Sequence, residues 1–104
     1  MYTGTMRKLK HPESLDLSTV LYALSDPMRL RIVKTLAGTK EEMMCCSFQC
    51  NLAKPTMSHH FKVLREAGIT KIRVQGTKHF TSLCQKELDH SFPGLLKAVL
   101  KSAK

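Results

Sequence analysis

Apolar residues near the two ends of the chain recur with the spacing of one side of an α-helix. In the first run, Leu17, Val20, Leu21 and Leu24 lie at positions i, i+3, i+4 and i+7. This period predicts an amphipathic helix that ends at Ser25 and Asp26. A second run of the same kind predicts a final helix whose N-cap is Ser91. Its apolar members are Phe92, Leu95, Leu96, Val99 and Leu100.

A second helix is predicted over residues 27–37. Asp26 is a favourable N-cap residue, and Pro27 suits the first helical position. Gly38 is expected to end this helix. The crowded segment that follows fits no single period, and a short helix is assigned to it over residues 46–52.

A more regular third helix is predicted over residues 55–67, with Gly68 at its end. Its inward side is expected to hold Met57, Phe61 and Leu64. Since each residue advances about 100° around the helix axis, the outward side then holds Thr56, His59, Lys62 and Val63. His60 lies at the edge of the inward side. A buried, hydrogen-bonded role and a place on the outer side both stay open for it.

The period changes to two in residues 71–83, where Ile72 and Val74 alternate with polar neighbours. Turn residues Gly76 and Thr77 follow, so a two-stranded hairpin is predicted. Three or four helices followed by a basic hairpin are the order of a winged helix-turn-helix. The expected fold is therefore mainly α, with a β-hairpin wing.

The chain has 104 residues, room for one compact domain, and a formal net charge of +9 at pH 7. We assign residues 14–104 to the winged helix-turn-helix domain and residues 1–13 to a basic, partly mobile N-terminal arm. Between Lys54 and Lys86, seven basic residues accompany one acid, Glu66. This charge favours a polyanionic partner, with nucleic acid first and an anionic membrane second. No run approaches the roughly 18 apolar residues of a membrane span, so a cytoplasmic protein without a membrane partner is predicted.

Eight polar side chains on the third helix and the hairpin are the candidate DNA contacts. They are Lys54, Thr56, Ser58, His59, Lys62, Arg65, Arg73 and Lys78. Thr56, His59 and Lys62 are expected to read base edges in the major groove, with a plain solvated surface as the alternative for Thr56 and His59. Phosphate contacts are assigned to Lys54, Lys62, Arg73 and Lys78.

Two runs of sequence are distinctive. Residues 26–32 read DPMRLRI, and residues 58–69 read SHHFKVLREAGI, ahead of a hairpin that turns at Gly76. Together they resemble the ArsR/SmtB family of bacterial winged-helix repressors, and the resemblance spans about residues 15–100. It implies a homodimer through the first and last helices, bound to a pseudo-palindromic double-stranded DNA operator. It also implies repression of the protein's own operon, and release of the DNA when an inducer binds.

Cys45, Cys46 and Cys50 lie within six residues, ahead of the third helix. In a cytosolic chain such a cluster indicates thiol or metal chemistry rather than a disulfide framework. The cluster departs from the Cys-x-Cys spacing of family members that sense soft metals, because on a helix Cys46 and Cys50 share a side that Cys45 does not. The first interpretation is a site for As(III) or another thiophilic ion, Cu(I) or Zn(II), acting as inducer. Structural packing and a thiol redox switch stay open.

The remaining candidate chemistry is sparse. Cys84 is interpreted as structural. A nickel or zinc site on the final helix is not expected, because no histidine follows His90 and only Glu87 and Asp89 lie nearby. A metal-buffering or redox thiol protein is the rival class, but the chain lacks a Cys-x-x-Cys at a helix start. No Ser/His/Asp set or carboxylate pair is visible, so no enzyme activity is predicted.

Overall fold

The computed structural model describes residues 6–8, 15–39, 42–44 and 54–103, and for residues 6–8, 44 and 54 the backbone alone. In these ranges the chain forms five helices and one four-stranded antiparallel sheet. The helices are α1 Leu17–Ala23, α2 Pro27–Thr39, α3 Lys54–Glu66, α4 Gln85–Ser91 and α5 Leu95–Ser102. The strands are β1 Met6–Lys8, β2 Met43–Met44, β3 Thr70–Gln75 and β4 Lys78–Leu83. The predicted winged helix-turn-helix fold is confirmed, and the predicted short helix over 46–52 lies outside the described residues.

The start of α2 follows the predicted cap, but its end does not follow the predicted stop. One carboxylate oxygen of Asp26 accepts hydrogen bonds from the backbone N–H groups of Met28 at 2.8 Å and Arg29 at 3.1 Å. Gly38 lies inside the helix, which runs on to Thr39. The predicted end is wrong because Gly38 does not adopt the positive φ of a glycine that terminates a helix.

The end of α3 is confirmed to within one residue, and its geometry explains how the chain enters the wing. Gly68 has a φ of 83°. Its N–H donates to the Arg65 carbonyl at 3.0 Å, and the Ile69 N–H donates to the Leu64 carbonyl at 3.1 Å. These two bonds make a Schellman motif, which packs Ile69 against the core and turns the chain into β3.

The hairpin of β3 and β4 is the predicted wing. Gln75 pairs with Lys78 across the two-residue turn Gly76–Thr77, and Gly76 has the positive φ of 60° that such a turn needs. Ile72 and Val74 face inward, as their alternation predicts.

Two short strands extend the wing into a four-stranded sheet in the order β1-β3-β4-β2. Neither was predicted, because strands of two or three residues have no measurable period and their partners lie far away in the chain. Residues 6–8 of the N-terminal arm, where the pattern predicts no regular structure, are one of these strands.

The C-terminal region differs most from the prediction. Helix α4 was not predicted, because Leu88 is its only buried residue and one apolar position makes no stripe. Ser91 does not cap the final helix. It is the last residue of α4, and Gly94 is the N-cap of α5. Phe92, with φ −135° and ψ 76°, is not helical, because a residue that precedes a proline is disfavoured in the helical conformation.

Candidate nucleic-acid interface

Helix α3 lies with one side in the core and the other exposed. Met57, Phe61 and Leu64 are buried against α1, α2 and β3, as predicted. The exposed outer side carries Thr56, Ser58, His59 and Lys62, and Arg65 is partly exposed. Val63, predicted to point outward, instead packs at the edge of the core. Lys54 is the first residue of α3, but its side chain lies outside the described residues.

His60 is buried, with 8% of its surface exposed, and it belongs to a polar cluster behind α3. Its Nδ1 lies 3.1 Å from Nη1 of Arg29 and 3.8 Å from Oδ2 of Asp26. Of the two roles left open for His60, the structure therefore selects the buried, hydrogen-bonded one. Arg29 belongs to the distinctive run of residues 26–32, but nothing in the sequence linked it to His60, which follows it by 31 residues.

Asp26 combines two roles in this cluster, since it caps α2 and faces the Arg29 guanidinium and the His60 ring. Partial burial by itself would raise the pKa of the Asp26 carboxyl. The backbone N–H groups of Arg29 and Met28, which donate to the carboxylate, and the charge of Arg29 hold the pKa of Asp26 below its usual value. The carboxylate is therefore ionised at neutral pH and caps α2 as an anion.

The wing places two predicted phosphate contacts in different surroundings. Lys78 is exposed beside the turn. The guanidinium of Arg73 instead lies over the ring of Phe80, 4.4 Å from its centroid, and donates hydrogen bonds to Gln75 and to both carboxylate oxygens of Glu42. These hydrogen bonds to Glu42 raise the pKa of Arg73 above its ordinary value. Glu42 was not singled out in the sequence, because no local pattern links it to a strand 31 residues further on.

The predicted sensor residues Cys45, Cys46 and Cys50 lie outside the described residues. Cys84 is 1% exposed and belongs to the core. Within the described ranges no three His, Cys, Asp or Glu side chains gather into a group that could hold a metal ion.

Helix α1 carries an apolar side that the rest of the described chain does not cover. Leu17 is 46% exposed, Leu21 47% and Tyr22 62%, whereas Val20 and Ala23 on the same helix are fully buried. On α5 only Leu96 is fully buried. Its other large apolar side chains, partly buried, are Leu95, Val99 and Leu100. The two predicted stripes are thus each divided between the core and the surface.

No helix in the described part of the chain combines the length and apolar character that a membrane span requires.

Comparison with known proteins adds evidence on the class of protein. A family model described as "Bacterial regulatory protein, arsR family" matches residues 26–71, from the α2 cap into β3. The chain is 35% identical over 101 residues to the "Uncharacterized HTH-type transcriptional regulator YceK" of Bacillus subtilis. The aligned region covers 95% of this chain and 100% of that protein. It is 36% identical over 77 residues to the "Arsenical resistance operon repressor" of Staphylococcus xylosus, 72% of each chain. The "Transcriptional repressor SdpR" of Bacillus subtilis is 28% identical over 85 residues, 82% of this chain and 94% of that repressor.

Proposed function

This chain belongs to the ArsR family of bacterial regulatory proteins, and from that membership we propose that it binds a pseudo-palindromic operator as a homodimer and leaves it when an inducer binds. The family consists of DNA-binding transcriptional repressors, which are not a class of enzyme. The observation that supports this proposal is the outer side of α3, where Thr56, His59 and Lys62 stand exposed on a helix whose other side is buried.

In this proposal α3 lies in the major groove and the β3–β4 hairpin follows the backbone. Thr56, His59 and Lys62 read base edges, since hydroxyl, imidazole and ammonium groups match the donors and acceptors displayed there. The other α3 contacts, with phosphate or sugar, come from Ser58 and Arg65. Lys54 and Lys78 join Lys62 in neutralising phosphates.

The base-reading roles predict a loss of specificity when α3 side chains are shortened. His59→Ala and Lys62→Ala are each expected to weaken binding to the preferred duplex about 5-fold to 150-fold more than binding to a permuted duplex. Lys78→Ala is expected to weaken both equally and to reduce the slope of log affinity against log salt concentration by about 0.9. Fluorescence anisotropy at several salt concentrations measures these effects.

The control for these variants is Arg31→Ala, which removes one exposed charge from α2. It is expected to change neither the specificity nor the salt slope. A His59→Ala variant that weakened the preferred and the permuted duplex alike would contradict a base-reading role for His59.

Arg73 requires a separate argument, because its phosphate contact has a competitor inside the protein. Glu42 accepts hydrogen bonds from the same guanidinium that would contact the backbone. We therefore expect Glu42→Gln to strengthen DNA binding about twofold to fivefold and to make the salt slope steeper. The measurement is again anisotropy over a salt series.

A double-mutant cycle separates this competition from a general effect of charge. If Glu42 acts through Arg73, the gain from Glu42→Gln disappears in an Arg73→Gln background. Glu87→Gln removes the same charge from the exposed surface of α4 and serves as the control. An equal gain in DNA affinity from Glu42→Gln and Glu87→Gln would contradict this competition, because it would show that only the loss of a negative charge matters.

In this proposal residues 14–104 form the DNA-binding and dimerisation domain, and residues 1–13 form a basic arm. The homodimer is built on the surface of α1 and α5. Leu17 and Leu21 are the exposed apolar residues that a second copy would cover. Because a two-fold dimer presents two α3 helices, the operator should carry half-sites about one helical turn, or a multiple of it, apart. Footprinting tests this, and a single half-site protected by a monomer would contradict it.

The inducer site in the proposal is the cluster Cys45, Cys46 and Cys50, which binds As(III) or another thiophilic ion. Two observations support this: the three thiols within six residues, and the similarity to a repressor whose name refers to arsenical resistance. Soft thiolate ligands select As(III), Cu(I) or Zn(II) over harder ions. Binding to the chromosome places this activity in the cytoplasm.

A further inference from the structure

One buried guanidinium joins three helices behind the outer side of α3. Arg29 lies on α2 and is 6% exposed. Its Nε donates to the Ala23 carbonyl at 2.7 Å, and its Nη2 lies 3.5 Å from the Tyr22 carbonyl. Its Nη1 lies 3.1 Å from Nδ1 of His60 on α3. We call Arg29, His60 and these two carbonyls the Arg29 cluster.

The chemistry of the Arg29 cluster makes it sensitive to the exact position of each member. A buried cation is stable only where its donors have acceptors. Here two of the acceptors are carbonyls at the C-terminal end of α1, the negative end of its helix dipole. If α3 moved away, the Arg29 guanidinium would lose its third acceptor while staying buried.

The hydrogen bond to Arg29 selects one tautomer of His60. A guanidinium has only N–H donors, so Nδ1 of His60 must accept and the ring proton lies on Nε2. The charged groups that face this ring are Arg29 and Asp26, from α2 and its cap, and the nearest other titratable group is His59, whose ring centroid is 6.2 Å away on α3 itself. The bond is therefore directional, and it restrains the rotation of α3 about its own axis.

The restraint on the rotation of α3 also affects His59, the residue next to His60. His59 precedes His60 and stands on the exposed side of α3, among the side chains assigned to base reading. Because one helix carries both, the rotation of α3 that satisfies Arg29 also sets the direction in which His59 and Lys62 point.

We infer that Arg29, through its hydrogen bond to His60, is a positioning residue for sequence-specific DNA binding. It fixes the rotation of α3 relative to α1, so that the outer side of α3 matches the major groove. The inference rests on the proposed function for the use of α3. It adds that DNA specificity depends on two buried residues that do not touch DNA. Tyr22 lies on the same cluster, since its ring is 5.5 Å from the guanidinium carbon of Arg29. The side chain of Arg29 therefore contacts both α1, which carries the surface proposed for the dimer, and α3, the helix proposed to read DNA.

The test requires a preferred DNA sequence, which the wild-type protein selects from duplexes with a randomised centre. The probes are that duplex and a permuted duplex of equal length. His60→Leu keeps apolar packing but removes the acceptor, whereas in His60→Asn the Oδ1 atom takes about the place of Nδ1. Arg29→Lys keeps the charge but loses the planar fork of donors. His90→Leu and Arg31→Lys make the same changes at exposed positions.

We expect His60→Leu and Arg29→Lys to weaken binding to the selected duplex about tenfold or more, with less than about a twofold change on the permuted duplex. His60→Asn is expected to restore most of the loss, and the two exposed controls to show none. Loss of folding would weaken both duplexes equally, so the ratio of the two affinities separates positioning from stability. Thermal unfolding of each variant identifies any that does not fold, and the remaining variants then decide.

Three results would overturn the inference. One is a folded His60→Leu or Arg29→Lys variant with the wild-type affinity ratio. Another is an equal loss in His60→Asn and His60→Leu, which would make the shape of the imidazole decisive instead of its acceptor. The third is failure of the wild-type protein to select any sequence, which would overturn the proposed function and this inference together. Only in the first two does the proposed function survive.

Discussion

Leu21→Asp is expected to convert the protein to monomers and to lower its affinity for operator DNA by about 100-fold or more. Leu21 is 47% exposed on α1, next to Leu17 and Tyr22, and no described residue covers this surface. In a two-fold dimer one substitution appears twice, so two carboxylates would be buried where two leucines had packed. Each half of the operator would then be bound by a separate monomer, without the gain in affinity that linkage provides.

The measurement combines sedimentation velocity with anisotropy on the selected duplex. Since Leu21 is only half-buried in the single chain, the variant should stay folded, and thermal unfolding checks this. Thr35→Asp places the same charge on an exposed position of α2 and is expected to leave the dimer intact. A Leu21→Asp variant that remained a dimer with full DNA affinity would exclude α1 from the interface.

Substitution of Cys46 and Cys50 together by serine is expected to abolish release of DNA by the inducer while leaving the affinity of the free protein for DNA unchanged. A serine hydroxyl is a hard, weakly acidic group and does not replace a thiolate as a ligand for As(III) or Cu(I). In the wild-type protein the ion should weaken DNA binding about 5-fold to 150-fold, the usual range of coupling between two sites. In the double variant this factor should fall to one.

The experiment titrates the reduced protein on its selected duplex with As(III), Cu(I) and Zn(II), and then with peroxide. Cys84→Ala is the matched control, because Cys84 is a buried cysteine remote from the cluster in sequence; it is expected to lower stability but to keep the response. Release by peroxide alone, reversed by a reductant, would establish the redox alternative. A double variant still released by As(III) would place the sensor elsewhere.

Several local features of the fold follow from the sequence with little ambiguity. The Asp26 cap, the Gly68 stop and the Gly76 turn lie where they were predicted, because each depends on the chemistry of one residue and its neighbours. Errors arose where local signals competed. Ser91 is a good capping residue, but Pro93 disfavours the helical conformation at Phe92, and α5 begins only after Gly94.

Of the candidate interface, too, the sequence predicted one part and missed another. The exposed side of α3 could be predicted, because three apolar positions at helical spacing define the buried side and thereby its opposite. The contacts that determine how α3 and the wing are held could not. Arg29 meets His60, and Glu42 meets Arg73, each across 31 residues of chain. No periodicity relates such residues, and only the packing of helices and strands brings them together.

The sequence by itself determined the helical and hairpin periods, the basic charge of the segment that carries α3 and the wing, and the family resemblance, since all of these are local or additive properties of the chain. Tertiary structure alone decided which half of each apolar stripe is covered. Val20 is buried while Leu17 and Leu21 stay exposed on the same helix, because burial depends on which other elements pack against that side. It also decided that a buried arginine on α2 meets His60 on the inner side of α3, since a cation in the core is stable only where the fold supplies its acceptors.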